Sequence, residues 1–485
     1  MNSISLKKNM ILNIIKQLCT TVFPLITFTY ASHVLGTEKI GIHSFGQSVV
    51  SYAAYIGMFG ISDYAIREAA VARKDKRQLE KFSNEIFSIN LLSTIVAYSI
   101  LFTLLGTCAN LFPYRYVILI QSLQIILTTL GADWINLAFE DFLYITIRYV
   151  IVELICVIAM VVLVKDADDL YLYTFISMLS AAGGNILNIF YIRKYIKLRP
   201  TWHMNLKKHL PFMSMLFFNS IALVIYLSSD VTILGVLKGN KTVGIYSVST
   251  KIYLLIKALI NATITVMVPR LSSMLSEKSL KEVDEVVSKL FNLLLMIIIP
   301  CMAGMFSEAE NIIHLIAGED YVSGDISLRI YAVTIFFAVV SCFISYIFLI
   351  PNRLEKFFLI STVIAAIVNI GLNFILIPRL SLNGAAITTL IAEIIVMSIT
   401  SISAKRFTKS VLLINKADLL KDILGGITIV LICTAIHSFT FSYYIELFVS
   451  MFFSTLIYLC IEIMLSHTGM SYLVSIFARS IKKWS

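Results

Sequence analysis

Runs of about 20 apolar residues, separated by short polar gaps, fill almost the whole chain. Fourteen can be marked, at approximately 10–34, 42–62, 84–107, 115–135, 147–164, 170–192, 210–237, 243–267, 287–307, 326–349, 357–378, 382–404, 418–440 and 444–465. A helix of about 20 residues crosses the ~30 Å hydrocarbon layer of a bilayer. Lipid offers backbone groups no hydrogen-bond partner, so only helices or closed barrels can span it, and these runs are too long for barrel strands. The pattern predicts an all-α polytopic membrane protein with about 14 transmembrane helices. The first run, "MILNIIKQLCTTVFPLITFTYASHVLG", exceeds the apolar core of a secretory signal and contains Lys16 and Pro24, so it reads as a retained helix.

The pattern also repeats. "VLGTEKIGIHSF" (34–45) resembles "VLKGNKTVGIYSV" (236–248) after a one-residue gap, and each joins the first and second span of a six-span set. "FEDFLYITIRYVIVELICVIAMVVLV" (139–164) lies over "LEKFFLISTVIAAIVNIGLNFILIP" (354–378) in hydropathy and position. The expected organisation is an N-lobe at 1–200 (spans 1–6), a C-lobe at 201–410 (spans 7–12), and spans 13–14 with a cytoplasmic tail at 411–485. Six is even, so both copies enter from one side and the repeat is parallel. Two bundles facing one another across a cavity are one way to build alternating access.

Composition strengthens the membrane reading and charge adds a direction. The 485 residues are 58% hydrophobic and 14% charged, with a mean hydropathy of +0.87; soluble domains carry about 25% charged residues. The net charge of +10 need not mean nucleic acid, because Lys and Arg in such a chain first report topology and lipid head-group contact. Alternate loops hold the basic stretches 67–81, 193–208, 270–289, 352–356 and 405–421. Only seven of the 39 Lys and Arg (Lys39, Arg115, Lys165, Lys238, Lys241, Arg329, Arg379) fall at or near the opposite face. The positive-inside rule therefore expects both termini in the cytoplasm, with Lys7 and Lys8 at one and Arg479, Lys482 and Lys483 at the other. The seven cysteines form no CxxC pair and no Cys/His cluster, so neither a disulfide framework nor a metal site is suggested, and no cofactor is expected.

Particular stretches resemble a known family. "VLGTEKIGIHSFGQSVVSYAAYIGMFGISDYAIREAA" (34–70) is similar to the opening of Wzx-type polysaccharide (O-antigen/repeat-unit) flippases: a Leu-Gly turn, a Gly-led helix start, and a Gly-containing second span ending near "RE". "SSDVTILGVLKGNKTVGIYSVSTKIY" (228–253) and "MVPRLSSM" (267–274) resemble the middle of such proteins. "NIGLNFILIPRLSLNGAAITTLIAE" (369–393) resembles their late Asn-rich span and Gly-Ala-Ala hairpin. The likeness covers residues ~8 to ~410; Ile40 stands before Gly41 where the family usually has Phe or Tyr. The superfamily also holds multidrug/cation extruders and lipid II flippases. The resemblance implies a multi-pass protein of the bacterial cytoplasmic (inner) membrane that is a transporter and not an enzyme. It would flip an undecaprenyl-diphosphate-linked oligosaccharide from the cytoplasmic to the outer leaflet. Its partners would be that polyprenyl-diphosphate-linked oligosaccharide, membrane lipid, and a polysaccharide polymerase and chain-length regulator, with no nucleic acid.

A flippase must carry a diphosphate and sugars across oil, so polar groups inside the spans carry most information. An ionisable group at mid-span costs about 2.5–3.5 kcal/mol on insertion scales and usually faces a wet cavity or a partner. Lys16, Arg148, Lys251 and Lys257 are the candidate substrate-binding cations. Arg148 is suited to a diphosphate because guanidinium binds phosphate bidentately, with interfacial anchoring as the alternative; snorkelling is the alternative for Lys16. Asp230, Glu153 and Glu393 are candidates for ion coupling or cavity lining. Asp230 and Lys251 are also open to reading as a structural ion pair, and Glu393 to a structural bond. Asn369 and Asn373, at i and i+4, share one helix face and are expected to fix the span 11–12 hairpin by interhelical hydrogen bonds. Pro24 and Pro300 each remove a helix hydrogen bond and are candidate hinges.

No P-loop occurs, so direct ATP drive is not expected; coupling to an ion gradient or membrane potential is. Within the superfamily the competing functions are a multidrug/cation antiporter, which would need buried N-lobe carboxylates that span 1 lacks, and a lipid II flippase. A membrane polysaccharide polymerase is the competing reading of another class, but the longest outer loop here is about 18 residues (308–325), too short for a catalytic one.

Overall fold

Glycine and serine, each at a single position, break what would otherwise be two helices of double length. In a computed structural model, which describes residues 6–277, 280–407, 415–439, 442–465, 467 and 469, α1 (Leu6–Met58) runs without a loop through two spans. Its one non-helical residue is Gly36, at φ 73° and ψ 174°. That backbone region is open essentially to glycine alone. α14 (Glu355–Phe407) is built likewise, with Ser381 at φ 54°.

Between them lie α2 (Ile61–Ala72), α3 (Lys76–Thr107), α4 (Arg115–Gly131), α5 (Trp134–Ala138), α6 (Phe142–Leu163), α7 (Leu170–Ala182), α8 (Gly184–Tyr191) and α9 (Leu206–Lys238). α10 (Asn240–Glu277), α11 (Leu280–Ser307), α12 (Ala309–Ala317) and α13 (Asp325–Ile344) follow, and α15 (Lys416–His437) and α16 (Tyr443–Met464) come last. Among the described residues, twelve helical segments are long and apolar enough to cross a membrane, and two of them, of 51 and 52 residues, are long enough for two passes each. At 1.5 Å per residue such a segment spans about 75 Å, more than twice the hydrocarbon layer. The fourteen expected passes are therefore present. The basic C-terminal tail with Arg479, Lys482 and Lys483 lies outside the described residues.

Three polar stretches differ from a loop reading; in one of them, 270–289, the described residues end α10 and begin α11. Most of 67–81 is helical, with only residues 73–75 between α2 and α3, and Asp75 caps α3 by accepting from the Arg77 and Gln78 amides. The segment 308–325 is no open loop: α12 buries Ala309, Ile313 and Ala317 on one face, the spacing of an amphipathic helix, and Asn311 as well.

The chain divides into two compact units, Met1–Ser247 and Val248–Ser485. The N-terminal unit has an apolar core of Ile61, Tyr64, Ile86, Trp134, Ile135 and Met213 at the end bearing its basic loops. A second core of Phe45, Val50, Leu101, Ile118 and Ile125 joins α1, α3 and α4. The C-terminal unit packs Leu293, Met296, Ile429 and Tyr458 where α11, α15 and α16 meet. Ile155, Ile158 and Val162 on α6 are 59–62% exposed, a face suited to acyl chains rather than water.

Within the N-terminal unit the sequence repeat becomes a contact. Gly239, at φ 83° and ψ 178°, ends α9 in the conformation that Gly36 takes inside α1. The helices that follow touch backbone to backbone: a Cβ on Gly41 would lie 1.8 Å from the Asn240 carbonyl oxygen, and one on Gly244 1.9 Å from that of Thr37. Toward the basic end, Gly60 (φ 67°) brings the start of α2 against the Met213 carbonyl and Phe217 amide of α9. Between these ends Ser51 meets Ser228 at 3.1 Å and Tyr52 meets Thr232 at 3.0 Å.

The basic end is latched twice. Tyr64 donates to His209 Nδ1 at 2.8 Å and His209 Nε2 lies 2.8 Å from Glu85, all three buried, tying α2, α3 and α9. Nearby, Asp141 accepts from the Tyr191 and Tyr195 hydroxyls, each at 2.6 Å, and from Lys194 at 3.1 Å. Burial pushes the Asp141 carboxyl up, but these three donors outweigh it and hold the group below the usual carboxylate range. With its folded-state pKa depressed, Asp141 contributes stability that is fully present above the unfolded value of about 3.9 and is lost as pH falls through the lower folded value. Asp141→Asn is therefore expected to lower the melting temperature at pH 7 by several degrees. Thermal unfolding in detergent should show that gap closing as the pH drops below about 4; a pH-independent gap would contradict the charge-based account.

Candidate substrate-binding sites

Two of the predicted cations meet in the N-terminal unit. Lys16 from the first half of α1 and Arg148 from α6 line one cavity of about 200 Å³, together with Thr20, Asp133, Ser180 and Asn185. Arg148 reaches it because Gly184 on α8 leaves room: a Cβ there would lie 3.3 Å from Arg148 Nε. Arg148 Nη2 donates to both Asp133 oxygens at 2.7 Å. Asp133 is held in turn by Asn188, which donates to it at 2.9 Å and to the Gly131 carbonyl at 2.6 Å.

The guanidinium is only partly used. Arg148 is 7% exposed, yet its Nε and Nη1 are buried without a hydrogen-bond partner. Leaving such a donor unmade costs about 1–3 kcal/mol, and more for a charged group. Lys16 and Arg148 against Asp133 leave the cavity one positive charge in excess. The cavity can accept an anion beside its two cations, and Thr20, Ser180 and Asn185 can serve hydroxyls there. At about 200 Å³ it is smaller than the roughly 300–1,000 Å³ pockets that enclose drug-sized ligands, so it suits one headgroup rather than a whole oligosaccharide.

Glu153 lies close by but is otherwise engaged. It accepts from Tyr149 at 2.6 Å and Ser180 at 2.7 Å and is 1% exposed. Asp230 on α9, also buried, accepts from the Tyr246 hydroxyl at 3.0 Å.

The C-terminal unit holds a second cluster. Lys257 on α10 pairs with Glu393 on α14 at 2.6 Å, and Tyr253, one turn before Lys257, donates to the same carboxylate oxygen at 3.1 Å. Lys257 also donates to the Tyr253 hydroxyl at 3.1 Å, and the Tyr253 ring stacks on Tyr331 at 4.7 Å. Glu393 is 4% exposed and the Lys257 side chain 21%, so the pair is reached from the Lys257 side. Lys251 sits half-buried six residues earlier on the helix.

Asn369 and Asn373 bond across the α14 hairpin. Asn373 donates to Asn369 at 3.1 Å, Thr388 donates to Asn373 at 2.6 Å, and Asn369 donates to Thr388 at 3.3 Å. Gly384 permits the turn, since a Cβ there would lie 2.5 Å from the Leu376 carbonyl oxygen. Pro24 and Pro300 lie inside α1 and α11, which keep helical dihedrals through them. Sequence reasoning missed Asp133, Asn188 and Tyr253. Asp133 fell at the end of a predicted span, where an acid is unremarkable, and nothing local marks the other two.

Comparison with known proteins agrees with this architecture. An Escherichia coli (strain K12) protein described as an O-antigen transporter is 25% identical over 410 residues, covering 82% of this chain and 96% of that one. A solved structure of the lipid II flippase MurJ in an inward closed conformation superposes with a TM-score of 0.74 at 18% identity, over 98% of this chain and 99% of that one. An inward-facing multidrug resistance MATE family transporter gives a TM-score of 0.57 at 14% identity, over 80% of this chain and 94% of that one. The family model for polysaccharide biosynthesis proteins matches residues 6–275, more than half of the sequence, and the chain belongs to that family.

Proposed function

We propose that this protein flips a polyprenyl-diphosphate-linked oligosaccharide, in the resemblance's terms an undecaprenyl-linked repeat unit, from the cytoplasmic to the outer leaflet of the bacterial inner membrane. The observation that carries the reading is the buried Arg148 fork beside Lys16, with two donors unused inside a family of polysaccharide biosynthesis proteins. A diphosphate matches the two cations by charge, and the adjoining hydroxyls and amide suit the first sugar.

The lipid tail needs only a greasy path. An apolar groove of about 610 Å³ between α11, α13 and α15, lined by Ile299, Phe306, Phe337, Ile423 and Ile427, suits one. Lys257 and Glu393 form the element we assign to coupling: an anion that draws Lys257 away leaves Glu393 buried and ready to take a cation or proton. Both termini lie in the cytoplasm on this reading, with lobes at 1–200 and 201–410 and with 411–485 appended. A polymerase and chain-length regulator would act on the delivered unit.

The O-antigen relative and the flippase fold support this reading, and the fold likeness over 98% of the chain gives lipid II export as the second. Reconstituting the full chain in vesicles with a fluorescent polyprenyl-diphosphate oligosaccharide, and separately with lipid II, distinguishes the two. The proposal expects movement of the oligosaccharide lipid and loss of it in Lys257→Ala at normal insertion. Movement of lipid II alone, or of neither, overturns it.

A further inference from the structure

At the end of the C-terminal unit opposite its basic loops, side chains from three helices and a helix junction converge. Glu308 stands between α11 and α12, Asn311 lies one turn into α12, His437 ends α15, and Glu446 is in the first turn of α16. His437 Nε2 lies 2.8 Å from Glu446 Oε1 and 3.9 Å from Glu308 Oε2. The Asn311 amide sits among them, 2.8 Å from Glu308 Oε2, 3.0 Å from Glu446 Oε1 and 3.4 Å from His437 Nε2.

We propose that Glu308, Asn311, His437 and Glu446 form a binding site for one divalent transition-metal ion of the Zn²⁺ or Mn²⁺ class. Donor atoms held at about 2.0–2.2 Å from a shared ion stand about 3.0–3.5 Å from one another; the distances from His437 and Asn311 to the other groups are 2.8–3.9 Å, and the His437, Glu308 and Glu446 ligand atoms all lie within 4.8 Å of one another. The electrostatics need a cation. Glu308 and Glu446 are 3% and 9% exposed, and both pair with the same imidazole. Two buried carboxylates share one imidazole here, and buried charge normally ends up paired or on a metal.

Glu308 Oε1, the other carboxylate oxygen, is buried with the Cys433 thiol beside it. The two atoms of an amide end are assigned by their surroundings rather than seen. Rotating the Asn311 amide replaces the nitrogen at the centre of the cluster by a carbonyl oxygen, the fourth donor. One imidazole with three oxygens fits Zn²⁺ or Mn²⁺ better than Mg²⁺, which keeps its waters and prefers oxygen alone. The His437 side chain, 38% exposed, leaves an entry path. Bound there, the ion would staple the α15–α16 turn to the α11–α12 junction.

A second His-carboxylate cluster, Asp422, Glu462 and His467, lies near the opposite end of the same helix pair. There the Gly469 amide donates to His467 Nδ1 at 3.0 Å, which leaves the ring proton on Nε2, the atom facing Asp422 at 3.5 Å. That ring is set to donate rather than to ligate, so this cluster serves as the control.

The test uses the full-length chain, stripped with chelator in detergent, with Zn²⁺, Mn²⁺ and Mg²⁺ as probes and calorimetric titration and thermal unfolding as readouts. Zn²⁺ or Mn²⁺ is expected to bind one ion per chain and raise the melting temperature, and Mg²⁺ to do neither at the same concentration. Glu308→Gln and Glu446→Gln, which keep side-chain shape, should each weaken binding by about tenfold or more, and Asp422→Asn should leave it unchanged. No saturable binding by wild type, binding retained in both glutamine variants, or binding lost only in Asp422→Asn overturns the proposal. If one glutamine variant fails to fold, the other decides.

Discussion

Replacing Arg148 with alanine is expected to lower transport of lipid-linked glycan by about 100-fold or more while the protein still inserts and folds. The figure follows from two hydrogen bonds to a charged group at about 1.5–3 kcal/mol each. Folding should survive because the stranded carboxylate, Asp133, keeps its bond from Asn188 and has a side chain 38% exposed. Arg148→Lys restores charge but not the planar fork, so it should recover only part of the rate. Initial rates of flipping in vesicles, set against the amount of folded protein, check both. Wild-type rates in Arg148→Ala would remove the N-terminal cavity from the mechanism.

The second large effect is expected where the repeated turns touch. Gly41→Val and Gly244→Val each place a branched side chain into a carbonyl oxygen less than 2 Å from where Cβ would stand. The chain segments must then separate, and that end of the N-terminal unit can no longer close. Transport should fall to background, and a cysteine at position 37 in a cysteine-free background should react faster with a water-soluble maleimide than in the parent. Full transport with unchanged labelling would mean that the contact plays no part in the cycle. Gly36→Ala is the informative contrast, since nothing lies within 4 Å of its Cβ position but φ is +73°. There only backbone strain opposes the change, about 1–3 kcal/mol, so stability should suffer more than cycling.

Most of the fold could be read from the chain, and the reason is solvent. A bilayer demands long apolar helices and nothing else, so the period and length of the runs fixed fourteen passes before any packing was known. The single-residue breaks were legible as places: Gly36 and Gly239 stood out through the repeat, and Ser381 falls in the gap between the runs 357–378 and 382–404, where Pro378 and Gly384 mark a turn. Site residues were legible one at a time and not as sets. Lys257 and Glu393 each looked costly alone, but 136 positions of sequence separate the partners, and nothing local announces the pairing. Asp133 escaped notice because a carboxylate at a span end is ordinary; only the fold turns Arg148 toward it. The Glu308–His437–Glu446 cluster draws on helices far apart in the chain, so it leaves no ligand spacing to find.

The one-residue breaks in α1 and α14 have a practical consequence for working with this protein on cells. Where two passes turn within a single residue, no slack emerges for a protease to nick, an antibody to grip or an inserted epitope to occupy. Inserted tags therefore do not belong at Gly36 or Ser381.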